Sequence, residues 1–443
     1  MASLSDKIAS NVNLGVFAKA KELQQRLLFT LIALIVFRLG TYIPFPGINP
    51  VVLSDFFSEN SGGLLGMFNA FTGGALSRMS IFALNIMPYI SASIIVQLGA
   101  SVIPSLMALK KEGESGFRKI NQYTRYLTVL ITVVQAFFMA RALEVAGAVI
   151  MPNMHLFELS TVVSLLGGTM FVVWLGEQIT ARGVGNGASL IITVGILSGI
   201  PGAFARILEE NRTGALSTWA LLAIFALVFA VIYVIVLVER AQRRIVVHYP
   251  KRQMGGQMMM GSQSHLPLKI NPTGVMPPIF ASALLAIPVS IVQMSSKASE
   301  SETLNRIATL LTPGQWLYIG VFAALIIFFT FFYTGIQSNP EETADNLKKQ
   351  GGFIAGIRPG KSTAEYLDYV ITRLTVLGAF YLTALCILPE FLIATFSLPF
   401  FLGGTTLLIV VTVLMDTVGQ IQSHLIAYQY EGLIRKAKLK GRF

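Results

Sequence analysis

Few residues in this sequence are of a type and spacing that could do chemistry. The run Ala355–Ser362 reads AGIRPGKS and lacks by one residue the pattern of a phosphate-cradling loop, which needs glycine where Ala355 stands. Such a loop also turns its backbone N–H groups toward the phosphate, and Pro359 has none to offer. The four histidines, His155, His248, His265 and His424, show no paired spacing, so no zinc or other metal site is expected. The single cysteine, Cys386, lies in an apolar run, which rules out an internal disulfide and a thiolate cluster. There is no GxSxG nucleophile elbow and no pair of carboxylates in the middle of an apolar segment. No catalytic residues, cofactor or metal are therefore expected, and the chain is not expected to be an enzyme.

The elements around these residues explain why. Of 443 residues, 54% are hydrophobic and 12% charged, with a mean hydropathy of +0.67; soluble domains carry roughly 25% charged residues. This is the composition of a polytopic membrane protein. Spans are expected near 24–44, 78–104, 122–143, 158–178, 187–204, 217–238, 273–294, 315–337, 372–391 and 402–422. The first residues are polar, with Lys7, Lys19, Lys21 and Arg26, so no cleavable signal is expected and the first span serves for insertion. Most of the 33 Lys and Arg fall in alternate connections, which places both termini in the cytoplasm.

Ten spans divide into two sets of five, and an odd number per half gives the halves opposite orientations. The resulting organisation is a cytoplasmic segment 1–23, a first half 24–204, an external hinge loop 205–216, a second half 217–422 and a basic cytoplasmic tail 423–443. Pro88, Pro277, Pro278 and Pro288 are expected to kink spans and open gaps between them. Two cytoplasmic loops, 239–271 and 337–368, far exceed the usual connection and carry clustered cations, which suits docking as well as contact with anionic lipid. At this level a small-solute transporter and a docking scaffold without conduction stay open alternatives to a channel.

One stretch resists assignment as either loop or lipid-facing helix. Gly62–Leu98 reads GGLLGMFNAFTGGALSRMSIFALNIMPYISASIIVQL, and its first half is too apolar for water yet too often broken by glycine to satisfy its own backbone in lipid. Such a segment fits only where protein or a water-filled cavity surrounds it. Arg78, just beyond, is expected to pair with an acidic group or to cap the outer mouth.

The motifs that resolve this are GGALSRMSIFALNIMPYISAS at 73–93, KKEGESG at 110–116, QYTRY at 122–126, WLGEQIT at 174–180, GVGNG at 183–187, VERAQRRI at 238–245, ETADNLKK at 342–349, GIRPG at 356–360 and FLGGTTLLIVV at 401–411. From about Leu27 to Gly441 they resemble, in order, the bacterial SecY family, channel subunits of the general protein-secretion translocon. The resemblance implies an all-α fold of ten transmembrane helices, whose two inverted five-helix halves form a clamshell around a central pore. A lateral gate between helices two and three and helices seven and eight would release apolar segments into membrane lipid.

By the same resemblance the pore ring is Ile86, Ile90, Ala188, Ile192, Ile279 and Ile409. The plug comprises Gly62, Gly63, Leu64, Leu65, Gly66, Met67, Phe68, Asn69, Ala70, Phe71, Thr72, Gly73 and Gly74. Docking of the SecA ATPase and the ribosome, including ribosomal RNA, falls to Arg243, Arg244, Lys251, Arg252, Lys348, Lys349 and Arg358. Implied partners are SecE, SecG, signal peptides and nascent chains, together with SecDF and YidC, in the bacterial inner membrane. Two positions depart from the family pattern. Ala188 replaces a bulkier aliphatic, which predicts a looser ring. Gly256 and Gln257 replace a basic pair, which predicts weaker ribosome contact; restoring Arg at both positions should steepen the salt dependence of ribosome binding, and an unchanged slope would refute the idea.

Overall fold

The structure is a computed structural model that describes residues 20–49, 52–53, 69, 72–145, 147–214, 217–249, 252–254, 257–259, 263–294, 315–396 and 403–440. Its helices are α1 (Lys21–Gly40), α2 (Met87–Val102), α3 (Pro104–Lys111), α4 (Glu114–Val145), α5 (Met154–Arg182), α6 (Gly187–Arg212), α7 (Thr218–Arg240), α8 (Met276–Met294), α9 (Trp316–Gln337), α10 (Pro340–Gln350), α11 (Lys361–Phe396) and α12 (Gly404–Lys440). Among the described residues, 8 helices are long and apolar enough to cross a membrane, or up to 9 if the bent pair α2–α3 is one span. Helix α8 meets the remaining expected span with a shorter described apolar stretch, Met276–Leu285. The chain is a multi-pass, mainly helical membrane protein.

Three local features differ from the sequence reading. The span expected from 78 begins only at Met87, because Met79 and Asn85 adopt φ values of 43° and 50° and a right-handed helix cannot run through them. The prolines start helices more than they kink them. Pro88 lies in the first turn of α2 and Pro277 and Pro278 in that of α8, where a missing N–H costs nothing. The sharp bend falls elsewhere, at 99° between α2 and α3. Ile103, extended at ψ 118°, precedes Pro104, whose ring disfavours helical backbone in the residue before it.

The chain divides into two compact units, 1–205 with 413–443, and 206–412. In the first, α4 packs on α2 and α5, and α5 on α1. Ala136 and Ala140, fully buried one turn apart on α4, join Phe157 and Leu165 of α5 in a shared core. Small residues matter here because helix association in lipid depends on close packing rather than on removing apolar surface from water. Thr124, Thr128 and Thr132 line one face of α4, and each hydroxyl donates to the carbonyl four residues back, so burial leaves no orphan.

In the second unit α9 packs on α8 and α11, and α10 on α11. The connection after α7, expected as loop, is an antiparallel ribbon. Strand β1 (Gln242–His248) pairs with β4 (Gln263–Lys269), and β2 (Arg252–Met254) with β3 (Gln257–Met259). Alternation along β1 explains it: Ile245 and Val247 point inward while Arg244 and Val246 face out.

Candidate functional site

The turn Gly183–Gly187 sets the start of α6 and with it Ala188 and Ile192. Its backbone donors are met by side chains from three helices. Val184 N–H donates to Thr30 Oγ1 of α1 at 3.0 Å, Gly185 N–H to Gln420 Oε1 of α12 at 2.8 Å, and Gly187 N–H to Thr180 Oγ1 of α5 at 2.9 Å. Asn186 caps the helix, its Oδ1 accepting from Ala188 N–H at 3.1 Å. A Cβ at Gly187 would collide with the Gly176 carbonyl, so only glycine permits this approach of α6 to α5. Sequence reading missed Thr30 and Gln420 because they lie 154 and 235 residues from their partners.

Among the expected ring residues, Ile86 is the N-cap of α2 and its carbonyl accepts from Ile90 N–H at 3.1 Å, so the two stand one turn apart. Ala188 and Ile192 stand one turn apart at the start of α6. Ile86, Ile90 and Ile192 are buried, and Ala188 is half-buried. In the second unit Ile279 lies in the first turn of α8 and Ile409 on α12, both buried.

Of the expected plug, Asn69, Thr72, Gly73 and Gly74 are described, and Gly62–Phe68, Ala70 and Phe71 lie outside the described residues. Asn69 Oδ1 accepts from Ser77 N–H at 2.9 Å, and the Asn69 carbonyl accepts from Gly74 N–H at 2.9 Å. Gly73 and Gly74 hold successive left-handed torsions, φ 66° and 79°. Among the described residues Arg78 has no carboxylate partner, and its Nη2 donates to the Gly73 carbonyl at 2.9 Å. Arg38 Nη1 donates to the same oxygen at 2.9 Å.

The two long loops come together. Ile245 and Val247 of β1 pack with Ala344 and Leu347 of α10, Ile354, and Ala364 and Leu367 of α11 in one small core. His248 and Phe353 exchange backbone hydrogen bonds of 2.8 and 3.0 Å across the loops. Arg243, Arg244, Lys348, Lys349 and Arg358 are all exposed on this module. Arg252 lies in β2, while Lys251 and Gly256 fall outside the described residues. Two further contacts brace individual helices. Arg125 of α4 holds Glu177 of α5 with two bonds, of 3.1 and 2.7 Å. At the base of the ribbon, Asn271 Nδ2 donates to buried Glu239 Oε1 at 2.7 Å, tying the end of α7 to the segment that leads from β4 into α8.

These features can be set beside known proteins. A model of the SecY family matches residues 80–418. The chain is 51% identical over 421 residues to the protein translocase subunit SecY of Haemophilus influenzae, covering 95% of this chain and 96% of that protein. To that of Escherichia coli it is 52% identical over 424 residues, covering 95% and 96%. Among solved structures it shares the fold of one described as a protein conducting channel, with TM-score 0.63, 18% identity and coverage of 91% and 92%. A second, concerned with the plug domain of the SecY protein, matches with TM-score 0.63, 20% identity and the same coverage. Helices, motifs in order and relatives matched over nearly their whole length agree, and the chain belongs to the SecY family.

Proposed function

We propose that this chain is the channel subunit of a protein translocase. It conducts unfolded secretory polypeptides out of the cytoplasm and releases transmembrane segments sideways into lipid, driven by the SecA ATPase or the translating ribosome. The observation that carries this reading is the identity of 51% to 52% with subunits named for that activity, over 95% of the chain. The protein supplies a path and no reaction of its own.

In this reading Ile86, Ile90, Ala188, Ile192, Ile279 and Ile409 form the constriction. A narrow apolar ring resists wetting, so it blocks ions at rest yet lets a chain slide through. Residues 62–74 form the plug, and the halves 24–204 and 217–422 open about 205–216. The charged face of the long-loop module receives the motor or the ribosome. Arg358 suits that task, since a guanidinium is always charged and binds carboxylate or phosphate with two parallel bonds. SecE and SecG brace the halves in the inner membrane, with both termini cytoplasmic. Gate opening draws on the signal peptide itself, whose apolar residues each gain roughly 0.3 to 0.6 kcal/mol at the membrane centre.

Reconstitution with SecE, SecG, SecA and a signal-bearing precursor tests the reading. ATP-dependent protection of the precursor from protease is expected, and its absence would overturn the assignment. Within the same preparation, Ala188→Ile narrows the ring and should lower the closed-state ion current. An equal current would mean that neighbours already fill the space at Ala188.

A further inference from the structure

At the described end of the expected plug, two arginines converge on Gly73. Arg38 projects from the last turn of α1 and Arg78 from the turns that precede α2, and each donates to the Gly73 carbonyl at 2.9 Å. Like charges so placed repel, but both guanidiniums lie over one ring, Tyr42, at 4.8 and 4.3 Å from its centroid. The negative face of that ring offsets the repulsion. Arg38 Nη2 also reaches Tyr42 Oη at 3.0 Å. Behind the carbonyl, the Gly73 backbone rests on α6, since a Cβ there would come within 2.7 Å of the Gly195 carbonyl.

We propose that Arg38 and Arg78 are a two-pronged latch that holds the foot of the plug in its closed seat, with Tyr42 as the plate on which both cations lie. The proposal rests on the reading of 62–74 as the plug. It gives a role to two cations that no ion pair among the described residues occupies. The carbonyl they grip belongs to the first of two successive left-handed glycines, at the C-terminal end of the expected plug. Swinging the plug away requires those torsions to change and both charge-assisted bonds to break together. Tyr42 is half exposed, so water can replace the bonds once the foot moves, and the latch can close again. These are positioning residues: they touch the plug, not the translocating chain.

The test is the closed-state ion current of the complete complex in planar bilayers. Replacing both guanidiniums (R38Q and R78Q together) should raise it about tenfold, the scale of losing one charged hydrogen bond to a bistable element. An unchanged current overturns the latch. The Lys pair (R38K with R78K) keeps both charges but not the planar fork that bonds the carbonyl while stacked on the ring. It should leak nearly as much as the Gln pair. A Lys pair as tight as the parent, beside a leaking Gln pair, would replace the latch with a simple field effect at the mouth.

Deleting residues 62–72 separates the two ideas. If deletion raises the current and the Gln pair adds nothing further, plug and latch act as one device. If deletion raises it and the Gln pair in the full-length chain does not, the latch alone falls. If deletion itself has no effect, the plug reading falls and takes the latch with it. Should the double variants fail to assemble, Tyr42→Phe carries the test, because it removes one acceptor and keeps the ring; a rise of about twofold is expected and none would overturn the proposal.

Discussion

Between α5 and α6 the chain reverses in the short turn Gly183–Gly187, whereas between α7 and α8, and again between α9 and α11, it makes long excursions that fold together. The short turn is held by hydrogen bonds: Thr30, Thr180 and Gln420 supply acceptors from three helices, and glycine lets the backbones touch. The long-loop module is held by apolar burial, with Ile245, Val247, Leu347 and Leu367 at its centre and the cations outside. The difference reflects solvent. Among apolar helices, covering hydrocarbon gains little because lipid is equally apolar, while an unmet N–H is expensive, so the joint is polar. A module surrounded by water gains from each apolar side chain it buries, so its joint is apolar.

The comparison predicts opposite sensitivities, strongest in the module. Leu367, 1% exposed, is the centre of the module's core, and Leu367→Ala should destabilise it by about 2–5 kcal/mol. Hydrogen–deuterium exchange should then quicken at β1 and β4 and stay unchanged at Val184. Protection lost equally in both regions would show that they are one cooperative unit. Thr30→Val keeps shape and removes the acceptor of a buried N–H, which should cost about 1–3 kcal/mol. Exchange at Val184 should quicken while β1 is unaffected, and a neutral result would mean that packing holds this turn after all. The smallest effect belongs to Val246, on the outer face of β1: Val246→Ala should change the thermal midpoint of the module by no more than about 0.5 kcal/mol equivalent. A larger loss would reveal a covering partner on that face.

Much of the helical layout was legible because a span needs only a long apolar run, and each expected span meets a helix. Boundaries were less legible where single residues intervene. Met79 and Asn85, in left-handed torsions, delay α2; the methionine suits an apolar helix and gives no sign of this, while asparagine is among the residues that adopt that torsion more readily. The bend at Pro104 follows from a local rule and could have been read from the sequence. The β-ribbon was hidden by its charge, since Arg243 and Arg244 on β1 dominate the two apolar positions that bury. Family motifs gave the expected ring, plug and docking cations by position, without any indication of what neighbours hold those residues.

The sequence alone determined that the chain crosses a membrane many times, carries no catalytic constellation and belongs with the translocase channels, because composition, span length and ordered motifs are properties of consecutive residues. Only the tertiary structure decided that two distant loops share one core, that the GVGNG turn leans on Thr30 and Gln420, and that the Gly73 carbonyl accepts from both Arg38 and Arg78. Each of these joins residues far apart in the chain, and a carbonyl that accepts two guanidiniums has no signature in the order of amino acids. The partner of a hydrogen bond is chosen by where helices pass one another, which is settled only when the chain has folded.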